Sequence, residues 1–387
     1  CQEVRFIPVR FKDAYGPVGA WFLLFKSAAT NAMGENYMQT NRSALEDYGQ
    51  YGKVKPVPAN LRNYLMMLDV MEGKGPIYMQ TAEAIQRIAE SEDDPKKAKK
   101  KLKELEAEAW EDFLDMTISQ AILWASTNIQ PEEAPSEIAA AEPYFIGSHS
   151  GASGAWVSGP KDIAPPEYFW GHENMTTVAG LFAAGDASGA SSHKFSSGSH
   201  AEGRIAAKAA IRYIVQDNPA KPTVDAAKIN ELMAATIKPL VHYEEHKDKT
   251  TDPEVNPNYI LSKSYMQRLQ KLMDEYAGGV SAQFTTSAKM LEKGLDLMKF
   301  LKEDSTNLGA DNLHHLMRCW ENVHRTYQAE AHIRAMLFRE ETRWPGYYFR
   351  SDIPKIDEEN WNCFVNCTYD RNTDNWAFKK VPITPIV

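Results

Sequence analysis

A chain of 387 residues is too long for one ordinary hydrophobic core and predicts two or three domains. With 43% hydrophobic and 25% charged residues and no apolar run long enough for a bilayer, the composition is globular and speaks against a membrane-spanning helix. The net charge of −9 argues against general nucleic-acid binding. Four cysteines (Cys1, Cys319, Cys363, Cys367) are too few and too scattered for a disulfide framework or a four-thiolate cluster, so a reducing cytoplasm is the expected compartment.

In chain order, 4–11 reads as a strand, Gly16-Pro17 and Gly19 as a turn, and 21–25 as an apolar segment fit for burial. On spacing alone, Arg10 is a surface arginine of an amphipathic strand. Residues 41–130 read as mostly helical: Leu61, Tyr64, Leu65 and Leu68 recur at helical spacing over 61–72, and 81–89 behaves likewise. The charge run 93–103 is the solvated start of a helix continuing over 102–124, with Asp94-Pro95 as its start signal, rather than a docking patch for an acidic partner. The Pro/Glu/Ala-rich stretch 130–143 looks like a boundary. His149 then sits among Gly147, Ser148, Ser150 and Gly151, with few bulky neighbours to bury it, so exposure to a cleft is the expectation. An irregular lead follows over 165–179.

The chain is organised around 180–214. Leu181, Phe182, Ala183 and Ala184 form a short apolar run that predicts a buried strand ending at Gly185-Asp186. Nearly every residue over 187–198 is small, so a ligand can lie close to the main chain. Ser199 and Glu202 stand at capping-box spacing, and Ile205, Ala209 and Tyr213 recur along one face of the helix they open. Strand, small-residue loop and helix N-terminus together favour an anion, either cofactor phosphate or an electron-rich ring. A second boundary falls over 219–224. Helical periodicity over 226–245, 260–276, 287–303 and 307–341 then predicts an antiparallel bundle. His314, His315, His324 and His332 in its last helix read as solvated or core residues rather than metal ligands, and Cys363 and Cys367 as free thiols.

Four stretches carry a family resemblance, among them 10–26 around Arg10 and 146–151 around His149, both similar to adenylylsulfate reductases. Gly180 to Asp186 followed by Ser196-Ser197-Gly198-Ser199 resembles the second FAD-contacting segment of flavoproteins related to fumarate reductase and succinate dehydrogenase; the run His193 to Arg204 is similar to the adenylylsulfate reductase alpha subunits of that superfamily. Arg339-Glu340-Glu341-Thr342-Arg343, Arg350, Asp352, Pro354 and Asn360-Trp361 resemble a further pattern of the superfamily, with Trp344-Pro345-Gly346 in place of its usual Gly-Ala-His. The fold this implies is α/β with α+β and all-α parts. It comprises an incomplete FAD-binding domain (1–25 and 144–220), an inserted, mostly helical capping domain (26–143), a helical domain (225–345) and a tail (346–387). No G-x-G-x-x-G occurs, so the chain is expected to be a piece lacking the dinucleotide loop and to bind FAD poorly alone.

The activity the resemblance implies is two-electron reduction of adenylylsulfate to sulfite and AMP, or the reverse, through a flavin N5–sulfite adduct. Arg10 and His149 are its implied catalytic residues. Leu23, Lys194 and Phe195 would contact substrate, and Gly185, Asp186, Ser196, Ser197, Gly198 and Ser199 would hold FAD, with Asp186 on the ribityl chain. Trp21, Tyr144 and Trp156 are candidates to stack on adenine, ordinary packing being the safer reading. No four-cysteine iron–sulfur pattern exists in the chain, and the family supplies electrons from a beta subunit with two 4Fe–4S clusters. A fumarate-type flavoprotein and a flavin-free scaffold are the alternatives.

Overall fold

The computed structural model describes residues 9–11, 29–55, 57–116, 118–130, 133–140, 154–189, 196–249, 256–343, 345–346 and 349–383. Near the start, β1 (Val9–Phe11), β2 (Ala29–Thr30), β3 (Ile77–Met79) and β4 (Ser136–Ala140) form an antiparallel sheet of order β1-β4-β3-β2. Ile77 and Met79 are buried while Tyr78 between them is half-exposed, the period-2 pattern of a strand with one covered face. Within the stretch 130–143, residues 136–140 form the strand β4. Ser-Glu-Ile-Ala-Ala has little intrinsic strand preference, and the segment becomes a strand because it pairs with β1 on one side and β3 on the other.

Four helices cover this sheet: α1 (Ala59–Met71), α2 (Thr81–Glu90), α3 (Pro95–Met116) and α4 (Ile118–Thr127). Leu61 and Leu65 on α1 and Ile85 on α2 are almost fully buried in a core shared with Ile77, Met79 and Trp124. Asp94 starts α3, its Oδ1 accepting from the amide of Lys96 at 2.8 Å, with Pro95 at the first helical position. The helix expected over 102–124 is present as α3 and α4, with Thr117 between them outside the described residues, and it opens at the expected Asp94-Pro95 signal.

α5 (Ser196–Arg212) is followed by α6 (Ala226–His246), α7 (Ser262–Tyr276), α8 (Ala288–Asp304) and α9 (Leu313–Phe338). Asp225, Ser287 and Asn312 cap α6, α8 and α9 through side-chain oxygens. Tyr265, Leu291, Met298 and Ile333 build a core among α7, α8 and α9, against which Leu240 of α6 packs. The expected helical domain is present, centred on these helices. Two short parallel pairs, β5 (Ile260–Leu261) with β7 (Leu308–Gly309) and β6 (Thr285–Thr286) with β8 (Phe349–Arg350), tie the helix ends together. A hairpin of β9 (Cys363–Asp370) and β10 (Asn375–Pro382) closes the chain.

The arginines of the 339–352 block hold this end together. Glu341, wholly buried, accepts from Arg339 at 2.5 Å and from Arg343 at 2.7 Å, and also from the Asp357 amide at 2.8 Å. Arg339 further donates to the carbonyls of Trp361 and Cys363. Arg350, only 1% exposed, grips both carboxylate oxygens of Asp352 and donates to the Met336 carbonyl. The Arg350 fork holds the Asp352 carboxyl down to about 2. Its folded-state value lies below the unfolded one, so the stabilisation is present above about pH 4 and is lost as pH falls toward 2. With Asp352 partly exposed, the effect is on the order of 1 kcal/mol. Thermal unfolding from pH 5 to pH 2 should show that loss, and Asp352→Asn should flatten it.

Candidate functional site

The expected strand at 181–184 is an irregular layer in the structure. Leu181 is 55% exposed, and only Phe182 makes a single antiparallel bridge, to Met175. The run lies alongside loop rather than between strands: Ala183 donates to the Asn174 carbonyl and Thr176 to the Leu181 carbonyl. Parallel to the end of this layer, Ala155 bridges Ser188, with the Ala155 amide on the Ala187 carbonyl at 2.7 Å and the Gly189 amide on the Ala155 carbonyl at 2.9 Å. Gly154 makes this approach possible. A Cβ there would stand 2.5 Å from the Ser188 carbonyl carbon.

The layer ends in one turn of 3-10 helix, Gly185–Ala187, which opens at Gly185 with φ +62°. A Cβ on Gly185 would lie 2.9 Å from Ser199 Oγ, so the missing side chain lets the turn sit directly on α5. α5 begins at Ser196, three residues before the expected cap. Ser199 is therefore inside the first turn, and Glu202, instead of reaching back toward Ser199, accepts from the Gly185 amide at 2.8 Å. The buried stripe also differs from the expected one. Ala206 and Ala209 face inward and Ile205 is 45% exposed, because the small alanines allow close approach to the layer.

The far end of α5 is clamped to the same layer. His172 Nε2 pairs with Asp217 at 2.9 Å, Arg212 pairs with Glu173, and Phe182 packs edge-on against Tyr213. Trp156 packs on Tyr168 and Trp170, in line with the packing reading of that residue. The result is a turn held against the first turns of α5 by the close approach of Gly185 to Ser199 and by the Glu202 bond.

Of the expected site residues, the structure brings Gly185 and Ser199 into contact and places Gly198 in the same first turn of α5. Asp186 lies in the turn and Ser196 and Ser197 open α5, with their side chains outside the described residues. Arg10 lies on β1 opposite Ala139, its side chain likewise outside. Leu23, His149, Lys194 and Phe195, along with Trp21 and Tyr144, lie outside the described residues altogether. Sequence reasoning missed Gly154, and it gave Glu202 a different task; the Ser199–Glu202 spacing was the one signal, and it pointed within the helix.

Burial pushes His332 down to about 4, leaving it neutral, and raises the Cys319 thiol to about 12. Cys319, Cys363 and Cys367 are free. No helix of the described residues is long and apolar enough to cross a membrane.

Residues 266–386 match the family described as fumarate reductase flavoprotein C-term. Over its full length the chain is 47% identical to the adenylylsulfate reductase subunit alpha of Megalodesulfovibrio gigas, covering 58% of that protein. It superposes with a TM-score of 0.92 on adenylylsulfate reductase from Archaeoglobus fulgidus, at 54% identity, over 99% of this chain and 59% of that one. A structure of adenosine-5-phosphosulfate reductase with sulfite as a covalent adduct matches equally well. The chain is thus similar over its whole length to these adenylylsulfate reductase proteins and spans a little under three fifths of their length.

If the two glycines set the site, Gly154→Ala and Gly185→Ala in the full-length protein should each cost on the order of 1–3 kcal/mol in chemical unfolding. Both should release bound flavin more readily, measured by ultrafiltration and absorbance.

Proposed function

We propose that the full-length protein containing this chain is the catalytic flavoprotein subunit of an adenylylsulfate reductase, interconverting adenylylsulfate with sulfite and AMP. The observation that carries this reading is the Gly185–Ala187 turn seated on the first turns of α5, in a chain similar along its whole length to adenylylsulfate reductase alpha subunits. FAD, when bound, supplies the two-electron chemistry that no side chain offers. Gly185 and Asp186 would hold its ribityl and phosphate region, with Ser196, Ser197, Gly198 and Ser199 presenting the N-terminus of α5 to it.

Reduction breaks the sulfur–oxygen bond to the nucleotide, takes up two electrons and releases AMP and sulfite. Negative charge is concentrated on sulfonate and phosphate oxygens throughout. Arg10 suits them with a planar, permanently charged fork. His149 adds a donor that also exchanges a proton near neutral pH. Lys194 contributes a further cation, while Phe195 and Leu23 form apolar walls that exclude water. Electrons come from an iron–sulfur beta subunit carrying two 4Fe–4S clusters, and a cytoplasmic location suits such a complex. In this reading 1–25 and 144–220 form part of the FAD-binding domain, 26–143 caps the site, 225–345 is the helical domain and 346–387 the tail.

The test is electron transfer dependent on both sulfite and AMP in the full-length protein with its iron–sulfur partner. Arg10→Ala and His149→Ala should each lower turnover by on the order of 100-fold to 1000-fold. Unchanged turnover in both would overturn the site assignment. Activity with fumarate and none with sulfite would overturn the substrate.

A further inference from the structure

We infer that Glu202 is the positioning residue of the flavin-facing turn, acting through the Gly185 amide; the inference rests on the flavoprotein reading above. Glu202 lies in the second turn of α5, on the stripe that Ala206, Ala209 and Tyr213 continue at helical spacing toward the irregular layer. The rest of that stripe is small or aromatic. A half-buried carboxylate among such neighbours loses hydration and needs a compensating donor. Its bond at 2.8 Å is to the amide that opens the turn.

That bond joins two others at the turn. The Gly185 carbonyl accepts from Ser188 at 3.0 Å, the Ala187 carbonyl accepts from Ala155 at 2.7 Å, and Glu202 takes the amide at the turn's entrance. Gly185 is the residue most able to leave its conformation, since glycine at φ +62° has many alternatives in the unbound state. With its amide fixed to α5, its φ is fixed, and so is the direction in which the chain enters Asp186. The same bond ties the turn to the helix whose N-terminus forms the other wall of the site. Turn and helix then meet a ligand as one preorganised surface, and the ordering cost is met in folding rather than in binding.

The essential property is an acceptor at this reach, and the charge is secondary. Three substitutions in the full-length protein separate the two. Glu202→Gln keeps a carbonyl acceptor at the same length; Glu202→Asp keeps the charge but withdraws it by one methylene; Glu202→Ala removes both. FAD affinity measured by titration of the apoprotein should stay within about 3-fold of wild type for Glu202→Gln. It should fall about 10-fold or more for Glu202→Asp and Glu202→Ala, the size of a lost charge-assisted hydrogen bond. The visible circular dichroism of bound flavin should change in the latter two alone. Apoprotein melting temperatures should vary much less than affinity, which a purely structural strut would not allow.

Wild-type affinity in Glu202→Asp and Glu202→Ala would overturn the inference, as would a loss in Glu202→Gln as large as in Glu202→Ala. A wild-type protein that takes up no flavin at all would instead overturn the flavoprotein reading itself. If Glu202→Ala does not fold, the contrast between Glu202→Gln and Glu202→Asp decides.

Discussion

The left-handed backbone at Gly185 is the constraint on which the site depends. It allows the turn to press against Ser199 without a Cβ between them, and it orients the amide toward Glu202. Everything nearby follows from that close approach: the small residues ahead of α5, the alanine stripe along it, and the matching contact at Gly154. Larger side chains at these positions would separate turn and helix by several tenths of an ångström at least, and the surface they form together would be lost.

A second level of organisation comes from charge rather than from small residues. Glu341 between Arg339 and Arg343, and Asp352 under Arg350, join the end of α9 to β8 and to the start of the closing hairpin. Buried ions of this kind contribute little net stability but specify one arrangement strongly, because each unpaired alternative leaves a charge without a partner. The helices over the four-stranded sheet are fixed to this end as well. Asn63 on α1 donates to the Gly346 carbonyl, Tyr64 stacks on Phe349 with centroids 5.8 Å apart, and Phe284 belongs to the core beneath α1. Residues near the start and the end of the chain thus share one packed region.

Helices were legible in the sequence where apolar residues follow a 3.6-residue period, as at Leu61, Leu65 and Leu68, and where Asp94-Pro95 marks the start. β4 was not, since Ser136 to Ala140 owes its strand form to neighbours distant in sequence. The apolar run at 181–184 misled for the opposite reason: local composition favoured a strand, but its partners are loop groups that allow a single bridge. The family and the glycine-rich turn were readable because small residues and a particular spelling survive in one dimension. The task of Glu202 was not, because the same three-residue spacing serves a capping box and a bond across to another segment. The arginine block was readable as a pattern, while its internal pairing emerged only in three dimensions.

On the proposed function, this chain contributes the turn and helix facing the flavin in an enzyme that handles sulfite. The most direct measurement is titration of the full-length, FAD-loaded protein with sulfite in the absence of oxygen, following the visible absorption of the oxidised flavin. A saturable loss of that band, weakened in Arg10→Ala, is the expected result. A band unchanged at millimolar sulfite in the wild-type protein would contradict it.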